Sequence, residues 1–473
     1  MCAATGRRIS LSERWAPHGA GARSVSCGRG SCPRGFAISR GLLASYSCSP
    51  TAERRPVRSR SSGFRAAPVH RDRFRANNLD SRYGKRLVRR LPLPRGGGFS
   101  YAAPITMTLA RVLFVSKPVE PPFRDGSCCL VRELVRGGSD LTVASVLSTP
   151  SAPRIADRTR MLRVYRKPRR YAPALWDNVS VLGHVARDTE HDIWHFVFAP
   201  NPRAGLAGRW LRRLRRTPIV QTVASQPRDF DGVGRWLFGD KVIALSHYTA
   251  CKLRQSGISS DRLCQVPVPV TDLVRSRAEQ RDARRRIGVA PEVPLFIYAG
   301  DLEFSRGADW MAQATPELLR RVDDAVVVFA CRSKTPVAAD RARRLARGLS
   351  ECGDRVKFVG EVGDLAALVA SATAIPFVVD DLYGKVDIPY VVLEAGLLGV
   401  PTLVCSVGPV AEVREAPRAA PGDIDAIVQF CEQMANDTRA RTELGQVLRR
   451  YVREQHDASM VARMVQQVYE SVL

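Results

Sequence analysis

From residue 109 onward the chain alternates between two patterns. Short apolar runs recur: RVLFVS (111–116), DLTVASVL (140–147), DIWHFVFA (192–199), PIVQTVAS (218–225) and KVIALS (241–246) in the first half. PLFIYAG (294–300), AVVVFAC (325–331), RVKFVG (355–360), TAIPFVV (373–379) and PTLVCS (401–406) follow in the second. Between them, apolar positions return every three or four residues, as in GADWMAQATPELLRRV (307–322), PVAADRARRLARGLSE (336–351) and VGDLAALVAS (362–371). Runs this continuously apolar predict strands covered on both faces, and strand–helix alternation predicts parallel sheets. Each half supports one doubly wound unit, so the expected fold is α/β: two tandem Rossmann-like domains with a cleft between the carboxyl ends of their strands. The expected divisions are 107–275, 276–455 and a closing helix over 456–473. The link falls where VPVPVTD (266–272) gives way to the charged RSRAEQRDARRRIG (275–288).

Charge changes the picture at the N-terminus. Of a net +27 over 473 residues, +17 comes from residues 1–106, with 21 Lys+Arg against 4 Asp+Glu. This leader is rich in Arg, Ser, Gly and Pro, and its broken apolar pattern cannot offset the entropy of ordering, so disorder is expected. It can be read as an organellar transit peptide, as a nucleic-acid-binding tail, or as lying outside the working protein, with Met107 and its LARVLFVS strand as the start. Few aromatics interleave its arginines, so nucleic acid is not an expected partner. No apolar run has transmembrane length; ALVASATAIPFVV (367–379) is short and broken by Pro376. The 12 cysteines form no CxxC pair and no Cys/His set, which predicts reduced thiols, no metal site and a cytoplasmic protein.

Candidate chemistry lies in two segments expected at the cleft. In DIPYVVLEAGLLGVPTLV (387–404), Glu394 interrupts a run that is otherwise almost wholly apolar. A buried carboxylate needs a partner. Pro389 suits the first turn of a helix and Gly399 its end, so Glu394 falls on a helix whose N-terminus can face phosphate. It either accepts the two hydroxyls of a ribose or is a core residue paired with an Arg or a backbone group. In YAGDLEFSRGADW (298–310), Gly300 permits a tight turn after a strand, and Arg306 opens a helix where a cation can meet phosphate. Asp380–Asp381 is the one acidic pair near the cleft, without convincing metal-site context.

The order and spacing of these motifs resemble the GT-B glycosyltransferases, specifically the retaining, family-4-like group. VIALSHYTACKLRQSGISSDRLCQVPVPV, FIYAGDLEFSRGADWMAQATPELL, RVKFVGEVGDLAALVASATAIPFV and VVLEAGLLGVPTLVCSVGPVAEV carry the likeness, from about Lys241 to Val413. The resemblance implies sugar transfer from a nucleotide-diphosphate sugar to an acceptor hydroxyl, with retention, without metal and without a cofactor beyond the donor. It puts Glu394 on the donor ribose and Arg306 on the diphosphate as a catalytic cation. Gly300, Ser246, Lys385 and Asp387 join them as donor-binding residues. In the first half it implies Gly126 and Ser127 near the donor phosphate, with Arg124 adding charge. His195, at a strand end, is implied as a catalytic contact to the donor sugar, and Asn201 as a further sugar or acceptor contact.

Two positions depart from the family pattern. Asp301 stands where a phosphate-binding Arg is usual, and Val386 stands where an acid is usual eight residues before Glu394. An Asp beside a diphosphate repels it unless it turns away or meets a cation, and Lys385 can supply that charge. These departures keep two rivals open: a nucleotide-sugar epimerase or hydrolase on the same fold, and a GT-B binding subunit that has lost catalysis. The expected acceptor is a saccharide or a lipid-linked sugar, in polysaccharide or glycolipid biosynthesis. AGLAGRWLRRLRRTP (204–218) can form a basic amphipathic helix with Leu206, Trp210, Leu211 and Leu214 on one stripe, suited either to peripheral contact with the cytoplasmic membrane face or to a solvated cover over the core.

Overall fold

The computed structural model describes residues 109–123, 125–166 and 174–473; the basic leader and Arg124 lie outside them. The first half runs β1 (Ala110–Val115), α1 (Gly126–Gly137), β2 (Thr142–Ser148), β3 (Thr159–Arg163), α2 (Leu175–Arg187), β4 (Ile193–Phe198), α3 (Pro202–Leu214), β5 (Ile219–Val223), β6 (Lys241–Ala244), α4 (His247–Gln255) and β7 (Leu263–Gln265). These strands make one parallel sheet in the order β3-β2-β1-β4-β5-β6-β7. β5 is buried at every residue, as expected of a strand with helices on both faces. β3 escaped the apolar pattern because it is an edge strand with only Thr159 buried.

The second half runs α5 (Arg277–Arg286), β8 (Leu295–Tyr298), α6 (Gly307–Arg321), β9 (Val326–Phe329), α7 (Pro336–Gly348), β10 (Val356–Phe358), α8 (Leu365–Ala370), β11 (Ile375–Phe377), α9 (Tyr390–Leu398), β12 (Thr402–Cys405) and β13 (Arg418–Ala419). Three helices end the chain: α10 (Ile424–Asn436), α11 (Thr438–Gln455) and α12 (Ala458–Glu470). The strands form two parallel pieces, β10-β9-β8 and β11-β12-β13. A parallel bridge between Phe296 and Ala374 and the 2.7 Å bond from Thr373 N to Leu295 O set β8 beside β11. This is the doubly wound arrangement expected from the alternating pattern.

The halves are tied at several points. α12 returns to pack on α1, and Val270 of the link exchanges backbone bonds with His456 (2.8 Å) and Ala458 (3.1 Å). The buried Glu133 carboxylate of α1 accepts the Thr271 N–H at 2.8 Å and the Thr271 hydroxyl, and the Tyr390 hydroxyl donates to Pro269 O at 3.1 Å. Across the other edge, Glu412 accepts the N–H groups of His247 (2.9 Å) and Tyr248 (2.6 Å) at the N-terminus of α4. A carboxylate there offsets the helix dipole and satisfies otherwise orphan donors.

Candidate active site

The carboxyl ends of strands from both sheets open onto a cleft of about 740 Å³. The first half contributes Pro122, Phe123, Asp125 and Gly126, with Cys129 and Arg132 of α1. The second contributes the loops after β8, β9 and β10 and the segment leading into α9.

α9 explains the isolated acid in the apolar run. Seven of its nine residues are buried, and Gly399 ends it with φ +71°, a conformation that side chains with a Cβ resist. Glu394 is the acidic exception, and it opens on the cleft. Shielding from water pushes its carboxyl up to about 7; Arg132 and Arg275 pull it down, Glu133 and Asp364 push it up. The two cations are engaged elsewhere. Arg132 binds Glu133 and lies 4.8 Å over the Phe123 ring, and Arg275 makes a forked contact with Asp364 at 3.1–3.4 Å. Among the described residues no hydrogen bond or ion pair reaches the Glu394 carboxylate. It is a shielded acceptor on the cleft wall, with Arg132 and Arg275 as its opposing charges.

The loop after β8 behaves differently from the sequence expectation. Asp301 turns into its own loop: Oδ1 accepts the N–H groups of Glu303 (2.7 Å) and Phe304 (2.8 Å), while Oδ2 lies 4.0 Å from Lys385 Nζ. The repulsion expected of an acid beside phosphate is thus offset both ways, by turning away and by a cation. Gly300 lines the cleft, and a Cβ there would lie 2.2 Å from the Tyr298 hydroxyl. Arg306, expected on the diphosphate, does not line the cleft. Its Nε and backbone N both bind Asp380 (2.9 and 2.8 Å), and its guanidinium, 66% exposed, lies over Trp310. Asp381 lines the cleft and accepts the Tyr383 N–H at 2.7 Å.

Cationic side chains on the cleft wall come instead from elsewhere: Lys385, as expected, with Arg332 and Lys334 from the loop after β9. The sequence reading missed the latter pair. The available signal was the polar CRSK run, residues 331–334, directly after a wholly buried strand.

Other expected site residues take structural roles. His195 is fully buried, with Nδ1 2.7 Å from the Tyr469 hydroxyl of α12 and Nε2 2.7 Å from the Thr222 hydroxyl. Both ring nitrogens are occupied, and burial lowers the imidazole to about 3, so it is a neutral core residue away from the cleft. Ser127 is spent on the cap of α1, where Asp125 accepts its N–H (3.0 Å) and its hydroxyl (2.6 Å). Ser246 caps α4 and donates to Asp387 Oδ2 at 2.6 Å; Gln226 approaches Asp387 Oδ1 at 3.4 Å. Asp387 is fully buried, raised to about 6 by desolvation, and straps the halves together rather than facing ligand. Gly126 does line the cleft. A Cβ there would meet Val386 Cγ2 at 2.7 Å, so the first turn of α1 packs directly on the position where an acid was expected. Asn201 caps α3 through Ala204 N at 2.9 Å.

α3 splits the expected stripe. Leu211 enters the core, whereas Leu206, Trp210 and Leu214 are exposed. Arg212 pairs with Asp240 at 2.7 Å, and Arg209 donates to Arg235 O at 2.6 Å. Among the described residues, no helix is long and apolar enough to cross a membrane.

Comparison with known proteins agrees with this fold. Residues 293–437 match the family model of glycosyl transferases group 1, and residues 129–272 that of glycosyltransferase family 4. A D-inositol 3-phosphate glycosyltransferase from Xylanimonas cellulosilytica is 26% identical over 260 residues, covering 48% of this chain and 61% of the relative. An uncharacterized glycosyltransferase from Methanocaldococcus jannaschii is 26% identical over 232 residues, 44% of this chain and 56% of the relative. The chain thus spans about three fifths of the length of these curated relatives. Among solved structures, Anabaena HepE in complex with UDP and glucose superposes with a TM-score of 0.61 at 15% identity, over 76% of this chain and 100% of that one. Sucrose-phosphate synthase from Thermosynechococcus elongatus gives 0.61 at 19%, over 76% and 98%. At these identities the structural likeness concerns the fold.

Proposed function

The chain belongs to the group 1 glycosyltransferases, GT-B in fold, and on that premise we propose that it moves a sugar from a nucleoside-diphosphate sugar to an acceptor hydroxyl with retention. The observation that carries this reading is Glu394, a carboxylate shielded in an apolar helix and placed on the cleft wall. A vicinal diol supplies the two donors that such a group lacks, and the ribose of a nucleotide carries one. The diphosphate then lies toward the N-terminus of α9, where helix N–H groups favour an anion.

The bond from the anomeric carbon to the donor phosphate breaks, and the acceptor oxygen bonds to that carbon on the same face. The acceptor proton passes to the departing phosphate oxygen, so no separate strong base is needed. Protein cations neutralise the charge building on the diphosphate, in a reaction that draws on neither metal nor cofactor. The acceptor is a saccharide or lipid-linked sugar met from the first half. The exposed Leu206, Trp210 and Leu214, interleaved with arginines, suit peripheral contact with an anionic cytoplasmic membrane face.

A thermal-shift screen against uridine, guanosine, adenosine and thymidine diphosphates tests the reading, since a ligand bound only by the native state raises the melting temperature. One nucleotide is expected to shift the wild type and not Glu394→Ala; no shift with any of them overturns the proposal. Val386 and Asp301 favour a second reading, a binding subunit without turnover. It predicts the same shift with no sugar transferred to any acceptor. Free sugar or an isomer released without acceptor would instead mark a hydrolase or epimerase.

A further inference from the structure

α3 does not carry its exposed apolar residues alone. Of the twelve large apolar side chains that stand exposed among the described residues, six lie on two helices: Leu175, Trp176 and Val179 on α2, and Leu206, Trp210 and Leu214 on α3. Both exposed tryptophans are there, Trp176 at 72% and Trp210 at 45%. The core does not need these six. α2 packs inward through Val181, Leu182 and Val185, and α3 through Leu211, against one apolar cluster that includes Trp194 and Phe196 of β4. Gly205 and Gly208 let α3 sit directly on the chain beneath, since a Cβ at Gly208 would lie 2.2 Å from the Phe238 ring. α2 leads from β3 to β4 and α3 from β4 to β5, two steps in the same direction across the sheet, so right-handed crossovers put both helices on one face. Arg215 Nε donates to Ala186 O at 3.1 Å where the two helices end side by side. Each helix starts at the carboxyl edge of the sheet, the edge from which the cleft opens, so the Leu175–Val179 turn stands at the cleft side of this face.

We propose that the outer surfaces of α2 and α3 together form a seat for an anionic lipid surface, with the start of α2 setting the rim of the cleft against the lipid. On the transferase reading, and resting on it, this seat selects a lipid-linked acceptor over a free saccharide. Charge decides the occupant. Residues 202–216 hold six arginines and no acid. Arg212 is paired with Asp240 and Arg209 donates to Arg235 O, whereas Arg203, Arg213 and Arg216 stand exposed. A second copy of the chain would bring these arginines against themselves, and the leader, at net +17, would add more positive charge. Anionic headgroups attract them instead, and tryptophan suits that boundary because its ring is apolar while its N–H stays hydrated. α2 and α3 have 13 residues each, too few to span a bilayer, so the contact is made by their faces. Two parallel helices define a plane where one helix defines only a line, so the second stripe on α2 orients the protein as well as holding it.

The test mixes the full chain with vesicles of phosphatidylcholine alone, and of phosphatidylcholine with phosphatidylglycerol at about 3:1, and reads binding by co-sedimentation. The chain is expected on the anionic vesicles, with binding that falls as salt rises. Trp176→Ser and Trp210→Ser should each weaken it roughly fivefold or more, and Arg213→Gln and Arg216→Gln roughly fivefold each. All four side chains are exposed, so melting is expected at the wild-type temperature. Brominated lipid should quench tryptophan fluorescence, and Trp176→Phe should remove part of that quenching. Absence of binding to the anionic vesicles overturns the seat. So does anionic binding that every variant keeps, which would place the contact on the leader. A wild type that sediments as a dimer while Trp176→Ser sediments as a monomer would make the face an interface between copies, and the lipid proposal falls. With host membranes and a labelled nucleotide sugar, label is expected in the lipid extract; label confined to soluble saccharide overturns the lipid-linked acceptor. A wild type that binds vesicles but no nucleoside diphosphate keeps the seat and loses the transferase reading, and one that binds a nucleotide but no vesicle does the reverse.

Discussion

Two parts of the cleft wall differ in kind. At one end a single carboxylate, Glu394, projects from a helix whose other side chains are mostly core. At the other, Lys334, Lys385 and Arg332 come together from two separate loops, with Asp301 turned aside. The first end is one polar group in an apolar setting, where desolvation dominates. The second gathers cations and acids from several loops, and burial together with the Lys385 charge lowers Lys334. Desolvation raises the Glu394 carboxyl in the free protein, and under the proposed function the hydroxyl donors of a ribose would relieve that cost.

The largest expected effect breaks the acid end. Glu394→Gln should weaken the preferred nucleoside diphosphate by roughly ten- to a hundredfold, the value of a charge-assisted bond. The same substitution should stabilise the free protein at neutral pH and above. The Glu394 carboxyl is raised from 4.5 to about 7, so its contribution favours folding below pH 4.5 and is lost as pH rises through 7. At one pKa unit per 1.36 kcal/mol, ionising it in the fold costs up to about 3 kcal/mol. Melting curves and titrations on one preparation should therefore move in opposite directions. Weaker binding together with a lower melting temperature would mean that Glu394 is a structural residue.

A pH series sharpens the comparison, because the two ends titrate in opposite senses. Affinity for a nucleoside-diphosphate sugar, whose phosphates hold no proton near neutrality, needs Glu394 ionised and Lys334 charged. It should fall up to tenfold per unit below about pH 7 and fall again above about pH 8. Glu394→Gln should flatten the acid limb only and Lys334→Gln the alkaline limb only. The acid faces Arg132, Glu133, Arg275 and Asp364, and the lysine faces Lys385, Arg332 and Asp125, so each limb belongs to a coupled set rather than to one isolated group.

The same contrast explains what could be read before the structure. The doubly wound sheets follow from strands apolar on both faces, and only short or edge strands such as β3, β7 and β13 lack that signal. Glu394 was legible because it violates the pattern around it: a polar residue in an apolar helix is a local anomaly. The lysine cluster was not, because Arg332, Lys334 and Lys385 come from distant loops that the fold brings to one cleft wall. Local motif reading also assigned residues to ligand that the fold uses internally. Ser127 and Ser246 look like phosphate binders at helix starts, but Ser127 is bound by the N-cap Asp125, and Ser246 caps its own helix and donates to Asp387. Asp387 lies two residues from Lys385 yet points into the strap between the halves.

His195 separates stability from ligand at a third place, behind the cleft. Its ring joins β4 to β5 and α12 through Thr222 and Tyr469. His195→Ala should cost roughly 2–5 kcal/mol by cavity formation and unpaired hydroxyls, while nucleotide affinity in the surviving folded protein stays near wild type. Since burial holds the imidazole near 3, no break in the kcat profile between pH 5 and 8 should disappear with it.

The smallest expected effect belongs to Arg306, the cation that the sequence motif places on the diphosphate. In the fold it is two-thirds exposed, stacked along its own helix and paired with Asp380. Exposed pairs of this kind contribute about 0–1 kcal/mol. Arg306→Ala should shift melting little, and nucleotide affinity and kcat by less than about threefold. Ligand binding could still draw the guanidinium away from Asp380 and over the diphosphate. Asp380→Asn discriminates the two cases, because it frees Arg306 without removing it. If Arg306 serves the ligand, Asp380→Asn raises affinity and Arg306→Ala lowers it. If both variants bind as wild type does, Arg306 is a surface residue of the helix start and phosphate is met by other groups of the cleft.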